Sequence, residues 1–151
     1  MAVDPAIVGL TQTPVTVDVE RGRIRMFAES IGETDPVYLD VDAARAAGHP
    51  DVLAPPTILF GLDLERSDTF DVIARHGVDL GRVLHGEESF TYHHDIHAGD
   101  RLTFTSTFTQ TYSKAGGALD FLVRHTDVVR ADGTLVAELD NVAVIRNGAA
   151  A

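Results

Sequence analysis

Cysteine is absent from the 151-residue sequence, and lysine occurs once, at Lys114. The lack of cysteine excludes disulfides, thiolate metal ligands and a cysteine nucleophile. No apolar run approaches the roughly 20 residues that a membrane-spanning helix needs. Residues 1–10 also lack the basic start and long apolar stretch of a signal peptide. We therefore expect a cytoplasmic protein without a membrane partner.

Positive charge is scarce as well. Lysine and arginine together number 12 against 23 aspartates and glutamates, which gives a formal net charge of −11. Such a surface repels a phosphate backbone, so we do not expect a nucleic-acid partner. A ligand that carries phosphates would need a local basic site. The acidity otherwise favours solubility.

Helical spacing dominates the first half of the chain. Apolar residues recur at helical intervals over Asp18–Ile31, a segment that Asp18 can cap and Gly32 can end. A short alanine-rich helix is predicted over Asp42–Ala47, closed by Gly48.

A buried helix is predicted next. The segment Ala54–Leu62 contains Pro55 and Pro56, which suit the first turn of a helix. The residues that follow are apolar on nearly every side, which is typical of a helix that is buried all round. Asp71–His76 extends or follows this helix and ends at Gly77.

Strands are predicted from Val83 onward, where the apolar period changes to two. After a first strand at Val83–Tyr92, large apolar residues alternate with threonines over Leu102–Tyr112, which indicates a half-buried strand. A third strand passes through Phe121–Thr126. Asp132-Gly133 predicts a hairpin turn before the last strand, Leu135–Ile145.

This order of elements predicts the fold class. Helices come first and long antiparallel strands follow, so we predict a single α+β domain in which an antiparallel sheet wraps around a buried central helix. The domain is assigned to residues 1–147, and residues 148–151 are expected to form a frayed tail. One such sheet leaves an edge and a face uncovered, so a dimer is expected.

Three segments resemble a known family in their residues, order and spacing. They are Phe27–Asp40 with Ala43-Ala44, Leu53–Thr57, and Leu84–His94 with Ala98–Asp100. Together they resemble the MaoC-like hotdog-fold hydratases and dehydratases. The resemblance is strongest to the N-terminal dehydratase-type branch, which includes the non-catalytic subunit of mycobacterial (3R)-hydroxyacyl-ACP dehydratase.

The resemblance implies a reaction without a cofactor. Family members add water reversibly across a trans-2-enoyl thioester and give a (3R)-hydroxyacyl thioester. A carboxylate and an imidazole position the water and transfer protons. Backbone N–H groups at the start of the buried helix stabilise the thioester oxygen, and an apolar tunnel accepts the acyl chain.

The chain departs from the family pattern at the catalytic pair. Active members carry Gly-Asp-x-Asn-Pro-x-His, whereas Glu33 stands at the Asp position here and Tyr38 at the His position. A phenol with a pKa near ~10 transfers protons poorly at neutral pH, so the pair is degraded. The catalytic candidates are Glu33, Asp35, Tyr38 and His85, although Asp35 before Pro36 is explained somewhat better as a turn residue.

Four histidines, His85, His93, His94 and His97, fall in a short stretch that suggests a metal. At strand rise, His85 and His93 would lie about 26 Å apart, too far to share one ion. His93 and His94 point to opposite faces of a strand, and a turn is expected before His97. We therefore predict no metal site and assign His85 to acid–base work or to a polar contact across a dimer.

The resemblance and the apolar helix together indicate a thioester-binding site. Its candidate residues are Pro56 and Thr57 at the start of the buried helix, Phe60 and Gly61 within it, and Lys114. Gly61 lets either an acyl arm or a packed strand approach the helix backbone. Lys114 could meet a phosphate of coenzyme A, or it could be a solvated loop residue.

Three functions remain open. The leading hypothesis is an acyl-binding subunit of a (3R)-hydroxyacyl-thioester dehydratase or enoyl hydratase, acting on acyl-CoA or acyl-ACP as a homodimer or with a second hotdog subunit. The second is a non-catalytic acyl-CoA-binding or scaffold module. The third is a thioesterase, because one fold supports several reactions.

Overall fold

The computed structural model describes residues 3–66 and 68–147, so the tail predicted at 148–151 lies outside the described residues. Within them, α-helices α1 to α4 span Arg21–Ser30, Val41–Ala46, Ile58–Asp63 and Thr69–Arg75. Strands β1 to β5 span Val15–Asp18, Val83–Tyr92, Arg101–Lys114, Leu119–Arg130 and Leu135–Arg146. None of the described helices is long and apolar enough to cross a membrane.

The strands form one antiparallel sheet in the order β1-β3-β4-β5-β2. Consecutive strands β3, β4 and β5 pair with each other, and Gly133 has a φ of +86° in the turn that Asp132-Gly133 predicted. The observed bounds of β2 are those expected from the sequence. Strand β1 precedes helices α1 to α4, and strands β2 to β5 follow them. One antiparallel sheet with separate helices confirms the predicted α+β class.

Strand β3 shows why the threonine alternation predicted a half-buried strand. Leu102, Phe104 and Phe108 are buried on the inner face of the sheet, while the intervening threonines are half-buried or exposed. Ser106 also lies on the inner face, where its hydroxyl hydrogen-bonds Thr126 of β4 at 2.8 Å. The inner face of β3 is therefore mostly apolar, with a buried polar patch where Ser106 meets Thr126.

Helix α3 packs on this inner face, but it is not apolar all round as predicted. Ile58, Leu59 and Leu62 belong to the core cluster that includes residues of β3, β4 and β5. Gly61 is exposed and Asp63 is buried at 1% exposure. The helix begins only at Ile58, so the two prolines precede it instead of filling its first turn.

The first helix begins three residues later than predicted. Asp18 is the last residue of β1, paired with Arg101 of β3, and the N-cap of α1 is Glu20. Pairing with β3 keeps the backbone extended through Asp18, so Asp18 does not cap the helix. The predicted end is confirmed, because Gly32 follows the helix with a φ of +72°.

Strand β2 forms one edge of the sheet and carries a bulge. Its register with β5 shifts between His85 and Glu87, so Gly86 is the extra residue of the bulge. A Cβ atom at Gly86 would lie 2.6 Å from Cγ2 of Val144 and 2.8 Å from the carbonyl oxygen of Val142. The backbones of β2 and β5 can approach each other here only because residue 86 has no side chain.

Replacing Gly86 by Ala is expected to lower the free energy of unfolding by about 1–3 kcal/mol, because the new methyl group overpacks the bulge. The matched control is Gly61→Ala, since a Cβ atom there meets nothing within 4 Å. Ala is the better helix former, so that change is expected to stabilise the protein by up to about 1 kcal/mol. Urea unfolding followed by circular dichroism compares the two, and equal effects would contradict the bulge interpretation.

Candidate functional site

An apolar cavity of about 280 Å³ lies between the sheet and the helical side of the molecule. Phe60 and Leu64 line it at α3, and Ile73 lines it from α4. The sheet contributes Leu122 and Ala143, which are register partners on β4 and β5. Helix and sheet thus enclose a space of a size and character suited to an apolar chain.

One wall of this cavity is polar, because Asn141 and Arg124 line it. Register places Glu88 beside Asn141 on the neighbouring strand. The amide of Asn141 donates to Oε2 of Glu88 at 2.7 Å. Burial raises the pKa of Glu88, although the hydrogen bond from Asn141 and the charge of Arg124 oppose the shift. Glu88 is therefore a carboxyl group whose proton affinity is raised beside an apolar cavity.

His85 stands next to this polar wall. Its ring packs against Phe60 of α3 with 5.1 Å between the ring centroids, and its Nδ1 lies 3.4 Å from the amide nitrogen of Asn141. His85 pairs in register with Ala143, one of the residues that line the cavity. His85, which belongs to the Leu-His-Gly-Glu segment, thus reaches the cavity, as a site residue must.

Arg124 is fixed by a buried ion cluster behind the cavity. Its Nη2 lies 2.5 Å from Oδ2 of Asp63, and Oδ1 of the same carboxylate lies 3.2 Å from Nη2 of Arg66. A further hydrogen bond of 3.3 Å joins Arg124 to Gln12. Burial lowers the pKa of Arg124, and Asp63 opposes this. The cluster joins α3 to the sheet and holds a cation at the cavity wall.

A second cavity of about 280 Å³ lies near Tyr38 and is lined by Ala54, Pro55, Pro56 and Asp95, among others. Burial raises the pKa of the Tyr38 phenol, and the charges of Glu33, Asp35 and Asp95 raise it further. The phenol is therefore neutral at pH 7 and cannot act as a base there.

The two predicted carboxylates near Tyr38 serve the local turn. Oε1 of Glu33 accepts the backbone N–H groups of Thr34 at 2.8 Å and of Asp35 at 2.9 Å. Oδ1 of Asp35 accepts the backbone N–H of Val37 at 3.0 Å, which caps the short 3-10 helix Pro36–Tyr38. Glu33, Asp35 and Tyr38 thus lie in one local turn, whereas His85 lines the other cavity.

The predicted thioester-binding residues also lie in different parts of the molecule. Phe60 lines the first cavity and Pro56 the second, and Thr57 is the N-cap of α3 without a side-chain capping bond. A Cβ atom at Gly61 would meet nothing within 4 Å, and Gly61 is exposed and lines neither of the two cavities. Nζ of Lys114 lies 5.4 Å and 5.0 Å from the ring centroids of Tyr112 and Phe121, a cation–π contact.

The histidines that fall in one short stretch of sequence have separate partners. His93 pairs with Glu138 at 2.7 Å, and Nε2 of His97 lies 3.0 Å from Nδ1 of His49. Burial lowers the pKa of His97, which keeps this ring neutral at pH 7. Sequence reasoning missed His49, as it missed Glu88, Asn141 and Arg124, because only the folded register brings them to their partners.

Comparison with known proteins agrees with this architecture. The family model described as "FAS1-like, dehydratase domain region" matches residues 6–139. A UPF0336 protein of Streptomyces griseus is 42% identical over 137 residues, which are 90% of this chain and 90% of that protein.

Two solved structures share the fold closely. A chain of the HadBC (3R-hydroxyacyl-ACP dehydratase) complex from Mycobacterium tuberculosis superposes with a TM-score of 0.80 at 25% identity, covering 94% of this chain and 99% of that chain. A chain described as a MaoC-like dehydratase gives 0.83 at 25% identity, covering 95% of this chain and 43% of that one. These similarities confirm the predicted MaoC-like hotdog fold.

Proposed function

Because the chain belongs to the FAS1-like dehydratase domain region family, we propose that it is the acyl-binding subunit of a (3R)-hydroxyacyl-thioester dehydratase. In the reverse direction, the same enzyme hydrates trans-2-enoyl thioesters of CoA or of an acyl carrier protein. The observation that carries the proposal is the apolar cavity between α3, α4 and the sheet, with His85 and Asn141 at its polar wall. A cytoplasmic location stays a prediction.

The cavity supports an acyl chain as the ligand. Its walls are mostly hydrocarbon, and each CH₂ group buried there contributes about 0.8 kcal/mol to binding. Three apolar side chains that line this cavity are exposed to solvent. Their exposed fractions are 56% for Phe70, 43% for Leu80 and 47% for Leu84. An acyl chain or a partner subunit would remove them from water, which favours one or both as occupants of this surface.

Degradation of the catalytic pair supports a binding role over independent catalysis. Glu33 and Asp35 already accept backbone N–H groups, and Tyr38 is a neutral phenol with a raised pKa. Proton transfer to an enoyl thioester needs a group whose pKa lies near the working pH. His85 brings an imidazole to the first cavity, so it is the acid–base candidate of this chain.

A second hotdog subunit completes the proposal, either as another copy of this chain or as a different chain. In the described part of the molecule, β2 pairs only with β5, and most of its ten residues are exposed. A free strand edge is a ready site for pairing with another chain. The similar Mycobacterium tuberculosis structure is itself a complex, which supports a heterodimer as well as a homodimer.

Hydration of crotonyl-CoA and of longer enoyl-CoA substrates tests the proposal. The purified chain is expected to be inactive or slow alone, and active when it is co-purified with a hotdog subunit that carries an intact Asp and His pair. Lack of hydration in both states, with circular dichroism showing folded protein, would contradict the dehydratase proposal.

A non-catalytic acyl-CoA-binding or scaffold module is the second candidate, and the capping role of the Glu33 carboxylate favours it. It predicts acyl-CoA binding without turnover in any combination of subunits. Turnover by the homodimer that His85→Ala abolishes would exclude it. Release of free CoA from acyl-CoA would instead favour the thioesterase, for which the described residues offer no specific support.

A further inference from the structure

Three potential metal ligands from distant parts of the chain meet beside the second cavity. Nδ1 of His49 lies 3.0 Å from Nε2 of His97 and 3.9 Å from Oδ2 of Asp95. One ligand atom from each of the three side chains lies within 4.8 Å of the others. His49 follows α2, whereas Asp95 and His97 lie between β2 and β3.

We propose that His49, Asp95 and His97 form a binding site for a divalent transition-metal ion, of which Zn²⁺ is the most suitable. Two imidazole nitrogens and one carboxylate oxygen are ligands that Zn²⁺ accepts at about 2.0–2.2 Å. At the tetrahedral angle, such bonds place two ligand atoms about 3.3 Å apart. The two ring nitrogens already stand near that separation, and Asp95 needs to move by at most roughly 1.5 Å.

Asp95, the ligand that has to move, has an exposed side chain. The side chain of Asp95 is 68% exposed, while that of His49 is 22% exposed. An exposed carboxylate can rotate toward a cation at little cost, whereas the two imidazoles are already held in contact, with ring centroids 5.2 Å apart. The site therefore has two ring nitrogens near the required separation and one adjustable carboxylate.

Hydrogen bonds hold the backbone segments that carry both imidazoles. The backbone N–H of His97 donates to Oδ2 of Asp100 at 3.0 Å, and the Asp100 carboxylate is bound in turn by the Arg130 guanidinium at 3.1 Å and 3.2 Å. Arg130 also donates to the carbonyl oxygen of Asp95. The backbone N–H of His49 donates to the carbonyl of Ala44 at 3.0 Å.

Three protein ligands leave one position of a tetrahedral ion open. Asp95 also lines the cavity of Tyr38 and Pro55, so a small molecule in that cavity would be near the ion. Water or an oxygen atom of such a molecule can fill the open position. The site is separate from the acyl cavity at His85, and it does not depend on the proposed dehydratase function.

Calorimetric titration of the chelator-treated full chain with Zn²⁺ tests the proposal. One equivalent is expected to bind, and His97→Ala or His49→Ala is expected to weaken binding at least tenfold. Asp95→Asn changes an exposed side chain and leaves folding intact, so its expected weakening separates ligation from misfolding. Zn²⁺ is also expected to raise the melting temperature of the wild type more than that of the variants.

Two control variants show whether Zn²⁺ binds at the proposed site or elsewhere. His125, Asp127 and Glu138 form another group of potential ligands on the sheet, and His125→Ala removes its imidazole. His94→Ala removes a histidine that lines the same cavity as Asp95. Both variants are expected to bind Zn²⁺ as the wild type does. No binding by the wild type, or binding that His125→Ala abolishes and His97→Ala does not, would show that His49 and His97 are only a hydrogen-bonded pair.

Discussion

Replacing Asp63 by Asn is expected to lower the free energy of unfolding by about 3–5 kcal/mol. The Asp63 carboxylate is the shared partner of the Arg124 and Arg66 guanidiniums, and all three side chains are at most 5% exposed. Without the carboxylate, two buried cations have no counterion in contact. Natural domains are stable by only about 5–15 kcal/mol in total, so this single change removes a large share of the stability.

A matched control separates burial from ion pairing. Asp79 and Arg82 also pair at i,i+3, at 3.3 Å, but their side chains are 66% and 52% exposed. Asp79→Asn makes the same chemical change on the surface, where an ion pair contributes at most about 1 kcal/mol.

Urea unfolding followed by far-ultraviolet circular dichroism measures both variants, since the chain has no tryptophan to report by fluorescence. A loss at Asp63 no larger than that at Asp79 would mean that the two arginines find other partners when the carboxylate is gone. The cluster would then not be what ties α3 to the sheet.

Local sequence patterns predicted strands β2 to β5, because a pleated strand shows in its own residues, but they missed the short strand β1. Over β3, the alternation of Leu102 and Phe104 with threonines follows directly from the two faces of a pleated strand. The Asp132-Gly133 turn specifies its own backbone geometry. Such features need no information from elsewhere in the chain.

The errors arose where a distant segment decides the local structure. Asp18 has the side chain of a helix cap, but pairing with Arg101 keeps it in an extended strand. The helix after Ala54 was predicted to be apolar all round, yet Asp63 is buried because Arg124, 61 residues away, neutralises it. Tertiary partners overrode local preference in both cases.

The candidate site was predicted in part for the same reason. Glu33, Asp35 and Tyr38 are close in sequence and stay close in the structure. Glu88 and Asn141 meet only because β2 pairs with β5 in a register that the Gly86 bulge sets. No spacing rule connects residues on separate strands, so the polar wall of the first cavity was not predictable from one sequence.

Ala143→Phe is expected to weaken the binding of long acyl-CoA esters by roughly 50-fold. Ala143 lines the first cavity between His85 and Leu122 on the neighbouring strands, so a phenyl ring there occupies space that the acyl chain needs. Loss of about three buried CH₂ groups costs roughly 2.4 kcal/mol, which corresponds to that change in affinity. Calorimetric titration with dodecanoyl-CoA measures the effect.

Chain length makes this test specific for the cavity. Butyryl-CoA is too short to need the deep part of the cavity, so its affinity is expected to change little in the same variant. The control Ala46→Phe places the same ring on the exposed end of α2 and is expected to bind both esters normally. Unchanged dodecanoyl-CoA affinity in folded Ala143→Phe protein would place the acyl chain elsewhere, and the cavity of Tyr38 and Pro55 would become the site to test. A selective loss for the long ester would instead place the acyl chain in the first cavity, because Ala143 lies between His85 and Leu122 in its wall.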